Sequence, residues 1–397
     1  MHQHRINRRD LLKLSAGAVV ALGAPQILTG CGDDETPPKP TSTPPGPSTR
    51  VAAIRGNDLY AMTRDALEAI GGIGAIVHEG ETVFIKPNMV MLPWADVLGS
   101  PFPTGECTKP EIVITVAEEC LKAGAAEVII GDGSQAPTFS WESAVTLDGS
   151  TNLVAAAARL SSQYKGKVRT VCLDAESPSW VEVPTSTYLE KVAISSLVAN
   201  ADRVISIPVV KTHQWAQVTL ALKGFVGVTP LERYGWTNSG MYARVLIPHQ
   251  SPQHIAQLYL DIANAVKPDL AIIDLSIGVE GNGPSVSGGG GKTVDMRDRL
   301  GSWLLLASTD LVAADATTAR VIGHDVASLK HVGMAYEMGL GEMREESIEI
   351  VGEKLDNLRV DWLPAELAAP DFLAGPSFNP AGVPLHVRWH HGAGSRA

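Results

Sequence analysis

The sequence has few cysteines, and none of them are closely spaced. Four of its 397 residues are cysteines, and no Cys-x-x-Cys pair occurs. This excludes the common zinc and iron–sulfur motifs, which need neighbouring thiolates. The three cysteines that follow Cys31 are far apart, so we expect buried thiols, with one disulfide as the alternative. They are Cys107, Cys120 and Cys172.

The chain is also poor in positive charge. Its formal net charge is −11, and without residues 1–30 it holds 28 basic and 42 acidic residues, a net charge of −14. Nucleic-acid-binding proteins need clustered positive charge, so we predict no nucleic-acid partner. A small anionic ligand stays compatible with this balance, because a few lysines can be focused in one cleft.

Several common catalytic motifs are absent. No Gly-x-Ser-x-Gly nucleophile elbow occurs. The stretch 290–293 (Gly-Gly-Lys-Thr) lacks the first glycine of a phosphate-binding loop, since that position is Val286. His249 and His254 lack the i, i+4 spacing of a helical zinc pair, and Pro252 lies between them. No motif therefore identifies a reaction.

The amino terminus has the pattern of an export signal. Arg8 and Arg9 form a twin-arginine pair ahead of a small and apolar run that is too short for a membrane span of about 20 residues. The run ends in Leu-Thr-Gly-Cys31, which resembles the bacterial lipoprotein cleavage box. We predict a signal peptide over 1–30, use of the twin-arginine export machinery, and a lipid anchor on Cys31. The protein would then face the periplasm or the cell exterior from a membrane.

Composition and periodicity divide the rest of the chain. Residues 31–50 are rich in proline and lack large apolar side chains, which is typical of an extended tether. Over 51–355, helix-period and strand-period segments alternate. This pattern predicts an α/β fold with a mostly parallel twisted sheet covered by helices on both faces. We expect an irregular tail over 356–397.

The apolar runs predict where the strands end. Strands are expected at 82–85, 127–130, 168–173, 203–207, 270–273 and 303–306. We also predict a helix over 189–200 and a glycine-rich loop over 278–291.

Charged and polar residues follow directly on these strands. Because the carboxyl ends of parallel strands meet at one edge of a sheet, we expect a ligand cleft there. Each residue alone has an ordinary alternative, since aspartate after a strand often caps the next helix and a lysine is often solvated. The residues concerned are Lys86, Asn88, Asp132, Lys211, His213, Asp274, Glu280 and Asp310.

The stretch 207–227 concentrates this chemistry just past an apolar strand. Lys211 and Lys223, together with Lys86, are predicted to bind carboxylate or phosphate groups, and His213 to act as a general base or metal ligand. Asp132 and Asp274 are the candidate ligands of a divalent metal. The predicted ligand-binding set also contains Asn88, Thr212, Glu280, Gly281 and Gly283. The alternative is a surface loop with solvated lysines.

Five segments in order resemble the domain-of-unknown-function 362 family over most of residues 80–352. They are 84–88, 122–132, 208–224, 274–284 and 308–315. The resemblance implies an α/β domain whose activity is not generally established. Many members are described as iron–sulfur proteins with ferredoxin-like cysteine clusters. This sequence has no such cluster, so we expect no iron–sulfur centre of its own.

Three functions remain open at this point. The first is an exported enzyme that acts on a small anionic substrate, with or without a divalent metal. The second is a lipoprotein that binds the same ligand without chemistry. The third is an accessory subunit of an exported oxidoreductase, with a redox partner protein.

Overall fold

A large sheet forms the centre of the protein. The computed structural model describes residues 49–235, 244, 252–287 and 289–367. In this part the strands are β1 (Thr49–Gly56), β2 (Thr82–Pro87), β3 (Glu127–Asp132), β4 (Lys167–Cys172), β5 (Trp180–Pro184), β6 (Lys191–Ser195), β7 (Arg203–Ile207), β8 (Val209–His213), β9 (Gln217–Thr219), β10 (Leu270–Asn282), β11 (Gly290–Asp295), β12 (Trp303–Ser308) and β13 (Ile348–Gly352). The main sheet follows the order β13-β1-β12-β10-β7-β2-β3-β4, with β8 and β11 paired to β10 and β9 paired to β8. β5 and β6 form a separate two-stranded sheet.

Most neighbouring strands of this sheet are parallel. β10, β7, β2, β3 and β4 run in one direction. β12 is antiparallel to β10, and β1 is antiparallel to β12, so β1 regains the direction of β10. The central strands are buried on both faces, as Val83, Phe84 and Ile85 in β2 show. The predicted mostly parallel α/β fold is confirmed.

Helices cover both faces of the sheet. The longer ones are α1 (Leu59–Ala69), α2 (Pro110–Lys122), α3 (Leu153–Gln163), α4 (Pro252–Val266), α5 (Leu311–Val321) and α6 (Lys330–Glu337). α1, α2 and α3 pack side by side on one face, and α4, α5 and α6 pack on the other. Short helical segments lie at Ala95–Leu98, Leu173–Glu176, Ser196–Ala199, Leu231–Tyr234 and Met296–Leu300. Turns of 3₁₀ helix lie at Ile73–Ala75, Leu92–Trp94, Trp141–Ser143, Leu222–Val228, Val326–Ser328, Glu345–Ser347 and Leu355–Asn357.

Short polar side chains begin three of the helices. Asp58 accepts a hydrogen bond from the Tyr60 amide at 2.9 Å at the start of α1. Asn152 begins α3 and Asp310 begins α5 in the same way, each through an amide three residues later at 2.9 Å. Such caps satisfy amide groups that have no partner within the helix.

The predicted helix over 189–200 is wrong in its first half. Residues 191–195 form β6, which pairs with β5, and only Ser196–Ala199 is helical. Val192, Ala193 and Ile194 are all fully buried. A short apolar run that is buried on both sides gives no periodicity that separates a strand from a helix.

The predicted glycine-rich loop over 278–291 is wrong at both ends, where the chain is β-strand, whereas residues 283–287 and 289 are irregular as predicted. β10 continues without a break from Leu270 to Asn282, and β11 pairs with its second half. A Cβ atom on Gly278 would lie 2.3 Å from the carbonyl oxygen of Val210. The glycine therefore permits a close approach between β10 and β8. Gly288 lies outside the described residues.

The ends of the described part differ in character. β1 begins at Thr49, two residues inside the segment that we assign to the tether. Beyond the last strand, the irregular segment up to residue 367 packs on the domain through Leu358 and Trp362, both buried. Arg8, Arg9 and Cys31 lie outside the described residues, so export and acylation stay predictions. No helix between 49 and 367, where described, is long and apolar enough to cross a membrane.

Candidate functional site

The carboxyl edge of the parallel strands gathers most of the predicted charged residues. β2 ends beside Lys86 and β3 ends at Asp132, and β8 brings Lys211 to the same edge. Asp310 is the exception. β12 runs the opposite way, so that Ser308 stands level with Ala271 at the start of β10, and the expectation that Asp310 shares this edge is wrong.

Lys86 and Asp132 form a buried ion pair. Lys86 Nζ lies 2.6 Å from Asp132 Oδ1 and also donates to the carbonyl oxygen of Pro87 at 2.7 Å. The other carboxylate oxygen, Asp132 Oδ2, accepts from the Met89 amide at 2.7 Å. Burial lowers the pKa of Lys86, and the charge of Asp132 opposes that shift. Both residues therefore already have a partner of opposite charge.

A second buried ion pair joins Lys109 to Asp274. Lys109 Nζ lies 3.2 Å from Asp274 Oδ2 and also donates to the carbonyl oxygen of Ile277. The Lys109 amide donates to the same Oδ2 atom at 3.0 Å. Asp274 Oδ1 accepts from the Ser276 amide and hydroxyl at 3.0 Å and 2.5 Å. In the sequence, Lys109 is only the residue before α2. It lies 165 residues from Asp274, so the sequence gives no sign of this ion pair.

The two candidate metal ligands are thus each bound by a lysine. The ammonium groups of Lys86 and Lys109 occupy the positions where a cation would contact Asp132 and Asp274. Within the described ranges, no group of three or more His, Cys, Asp or Glu side chains could hold a metal ion. These residues do not fit a divalent metal, and we derive no step through one.

Lys211 is buried without a carboxylate partner among the described residues. Its side chain is only 1% exposed, and Nζ donates to Asn88 Oδ1 at 3.2 Å and to the carbonyl oxygen of Glu106 at 2.7 Å. An ammonium group has three N–H donors, and these two acceptors are both neutral. Burial lowers the pKa of Lys211 to about 8.

Lys223 lies next to Lys211 and is only half-buried. Its Nζ donates to Thr219 Oγ1 at 2.9 Å and stands 5.8 Å from the centre of the Tyr259 ring. Thr219 is the residue directly opposite Lys211 in the β8–β9 pair. Burial, and then the charge of Lys211, lower the pKa of Lys223 well below its ordinary value.

Glu106 contacts Lys211 through its carbonyl oxygen and residues 285–287 through its carboxylate. Its carboxylate accepts from the Ser285 hydroxyl at 2.6 Å, the Val286 amide at 2.9 Å, and the Ser287 amide and hydroxyl at 3.2 Å and 3.0 Å. Burial raises the pKa of Glu106, but these hydrogen bonds outweigh it and the pKa falls below its ordinary value. No sequence signal indicates this residue, because its partners lie about 180 positions away.

Contacts between β8 and the end of β10 involve Thr212, Gly281 and Gly283. Thr212 Oγ1 donates to the carbonyl oxygen of Gly281 at 2.6 Å, and the Gln214 amide donates to that of Gly283 at 3.2 Å. A Cβ atom on Gly283 would lie 2.3 Å from the Thr212 carbonyl oxygen. These residues hold β8 against β10.

His213 and Glu280 have structural partners of their own. His213 Nδ1 accepts from the Trp215 and Ala216 amides at 3.1 Å and 3.3 Å. Glu280 pairs with Arg299 at 2.6 Å and accepts from the Leu363 amide at 2.8 Å. Neither contact involves a lysine of the edge. Lys211, Lys223 and Asn88 are therefore the predicted site residues whose contacts leave donors for a ligand.

Proteins similar to this chain include one relative and two solved structures. A thylakoid-associated protein of Synechocystis sp. is 26% identical over 326 residues, which cover 81% of this chain and 88% of that protein. The lactate racemase apoprotein of Thermoanaerobacterium thermosaccharolyticum matches with a TM-score of 0.35 and 10% identity, over 58% of this chain and 50% of that one. A Thermotoga maritima protein matches with a TM-score of 0.31 and 13% identity, over 61% and 56%. The chain thus spans about half the length of either solved structure.

The family match covers more than half of the chain. A family described as domain of unknown function (DUF362) matches residues 83–320. These residues run from β2 through nearly all of α5 and include both buried ion pairs, Lys211 and Lys223. On this match, the chain belongs to the DUF362 family.

Proposed function

We propose that this chain is an enzyme that binds a small carboxylate or phosphate compound at Lys211, beside Lys223. The observation that carries the proposal is the burial of Lys211 beside neutral acceptors alone. A buried ammonium group is costly unless an opposite charge or several hydrogen bonds compensate it. A bound anion would supply the missing charge.

The charge balance of the edge favours the same ligand class. Two of its four lysines are matched by Asp132 and Asp274, and the other two have only neutral acceptors in the described part. The Glu106 carboxylate does not contact these two lysines, because its hydrogen bonds go to residues 285–287 and Thr104. Fixed cations in a poorly solvated cleft bind anions more strongly than the same cations in water.

Thermal unfolding with added anions tests the proposal. We expect phosphate, pyruvate or lactate to raise the Tm of the wild-type protein, because a ligand that binds only the folded state stabilises it. Lys211→Met should abolish the rise. Lys122→Met is the matched control, because Lys122 pairs with Glu119 on an exposed helix face away from the edge.

Two results would count against the proposal. A Tm that no anion changes would overturn the anion site. A rise that persists in Lys211→Met and in Lys223→Met would place binding elsewhere. Anion binding without turnover of any carboxylate or phosphate compound would contradict the enzyme and leave a binding protein.

We also propose that the protein is exported and anchored by a lipid on Cys31. The support is the order of Arg8, Arg9 and Cys31 in the sequence. Cys31→Ala should move the protein from the membrane fraction to the soluble fraction, and Arg8→Lys with Arg9→Lys should retain it in the cytoplasm. An unchanged distribution of the protein in both variants would contradict the proposed export and lipid anchor.

A further inference from the structure

We infer that Lys223 is a nucleophile that forms an imine with a 2-oxo acid whose carboxylate binds Lys211. The inference rests on the proposed anion site and names its substrate class. In a 2-oxo acid the reactive carbonyl carbon is bonded directly to the carboxylate carbon. A site for such a compound therefore needs a nucleophilic amine close to a cation.

The β8–β9 pair places these two amines together. Lys211 and Thr219 are directly opposite residues of antiparallel strands, so their side chains lie on the same face. The Thr219 hydroxyl accepts the hydrogen bond from Lys223 Nζ at 2.9 Å. Thr219 therefore lies between Lys211, which is opposite it on β8, and Lys223, which donates to its hydroxyl group.

Lys223 is the least buried of the four lysines of the edge. Lys86 and Lys109 are buried and hold carboxylates, and Lys211 is buried between two acceptors. Lys223 is half-buried, and within the described residues its only hydrogen-bond acceptor is Thr219. The centre of the Tyr259 ring lies 5.8 Å from Nζ.

The surroundings also favour a neutral amine, which is the reactive form. Burial and the neighbouring charge of Lys211 both lower the pKa of Lys223. His331 is buried nearby, and its Nε2 has no hydrogen-bond partner in the described part of the chain. Burial lowers the pKa of His331 to about 4, so its ring is neutral at neutral pH.

The step conserves atoms and electrons without an oxidant. The lone pair of Lys223 Nζ attacks the carbonyl carbon, and the carbonyl π electrons move to oxygen. A proton passes from nitrogen to that oxygen, and His331 is the neighbouring base for the transfer. The hydroxyl group then takes the second proton of the nitrogen and leaves as water, and a C=N bond replaces the C=O bond. Lys211 holds the carboxylate throughout.

Reductive trapping tests the inference on the full chain. Pyruvate with sodium cyanoborohydride should attach one reduced pyruvate per chain, and peptide mapping by mass spectrometry should locate it on Lys223. Lys223→Arg keeps the charge but lacks the nucleophile, so trapping should be lost. Lys122→Arg is the control and should label like the wild type. Lys211→Met should lower trapping by about tenfold, the value of one charge-assisted hydrogen bond.

The outcomes separate this inference from the proposed function. Label spread over surface lysines, or equal labelling of Lys223→Arg, would overturn the imine. Peptide mapping of the trapped wild-type protein locates the label without any variant. The test therefore stays valid even if a variant does not fold. If anions raise the Tm but no label reaches Lys223, the anion site stands and the imine fails. If neither occurs, both fail.

Discussion

Lys109 Nζ lies 3.2 Å from Asp274 Oδ2, and neither side chain has any exposed surface. The pair connects the start of α2 to the middle of β10, two elements that are far apart in sequence. It also fixes the loop before α2, whose Glu106 carbonyl group accepts from Lys211. The second buried ion pair of the edge, Lys86 with Asp132, joins the adjacent strands β2 and β3.

Breaking the Lys109–Asp274 pair should destabilise the protein strongly. Asp274→Asn leaves the ammonium group of Lys109 buried without a counter-charge, and we expect a loss of about 3–5 kcal/mol in the free energy of unfolding. Urea unfolding followed by circular dichroism measures it. Replacing both partners, with Lys109→Met and Asp274→Leu, should recover part of the loss. Exposed Asp298→Asn is the control, and a loss no larger than the control's would contradict the prediction.

The contribution of Lys211 to the free energy of unfolding should change with pH in the alkaline range. Its pKa is about 8 in the folded state and 10.5 in its ordinary state, so the unfolded chain binds more protons between these values. The contribution of Lys211 to stability therefore rises with pH from about 8 upward. Relative to the wild type, Lys211→Met should lose roughly 1 kcal/mol per pH unit between about pH 8 and 9.5. Parallel stability profiles for the two proteins would contradict this.

Asp315 should have the opposite dependence on pH. Its carboxylate accepts from the Ala221 and Leu222 amides, which begin the turn that carries Lys223, and burial raises its pKa to about 7. The folded state then binds more protons than the unfolded state between about pH 4 and 7, so this contribution is present at low pH and is lost as pH rises through 7. Relative to the wild type, Asp315→Asn should gain roughly 2 kcal/mol between about pH 5 and 8. Asp298→Asn should follow the wild type, and an Asp315→Asn profile that does the same would refute the assignment.

Gly227 should tolerate no side chain. A Cβ atom there would lie 2.2 Å from Asp132 Oδ1 and 2.4 Å from the Gly133 carbonyl oxygen. Gly227→Ala must therefore displace either Asp132 or the turn 222–228, and we expect a loss of about 1–3 kcal/mol together with weaker anion binding. Gly74→Ala is the matched control, because no atom lies within 4 Å of its added Cβ. Equal stability of the two variants would show that the turn moves freely.

The sequence predicts a cluster of charged residues at the carboxyl edge of the parallel strands, but it identifies only some of these residues. Lys86 and Asp132 could be placed because each follows an apolar run, and the alternation of helices and strands predicts parallel neighbours. Lys109 and Glu106 could not be placed, since their partners are hydrogen-bonded across 165 to 181 positions. An apolar run also carries no information on strand direction, and the antiparallel β12 therefore takes Asp310 to the other edge.

The direction of β1 has a consequence for how the domain is oriented. Thr49 opens that strand at the end of the sheet where β10 starts and β12 finishes, behind the lysines. A chain that is held through the segment before Thr49 would therefore be joined at the edge opposite Lys211, so that its point of attachment would not obstruct the proposed anion site.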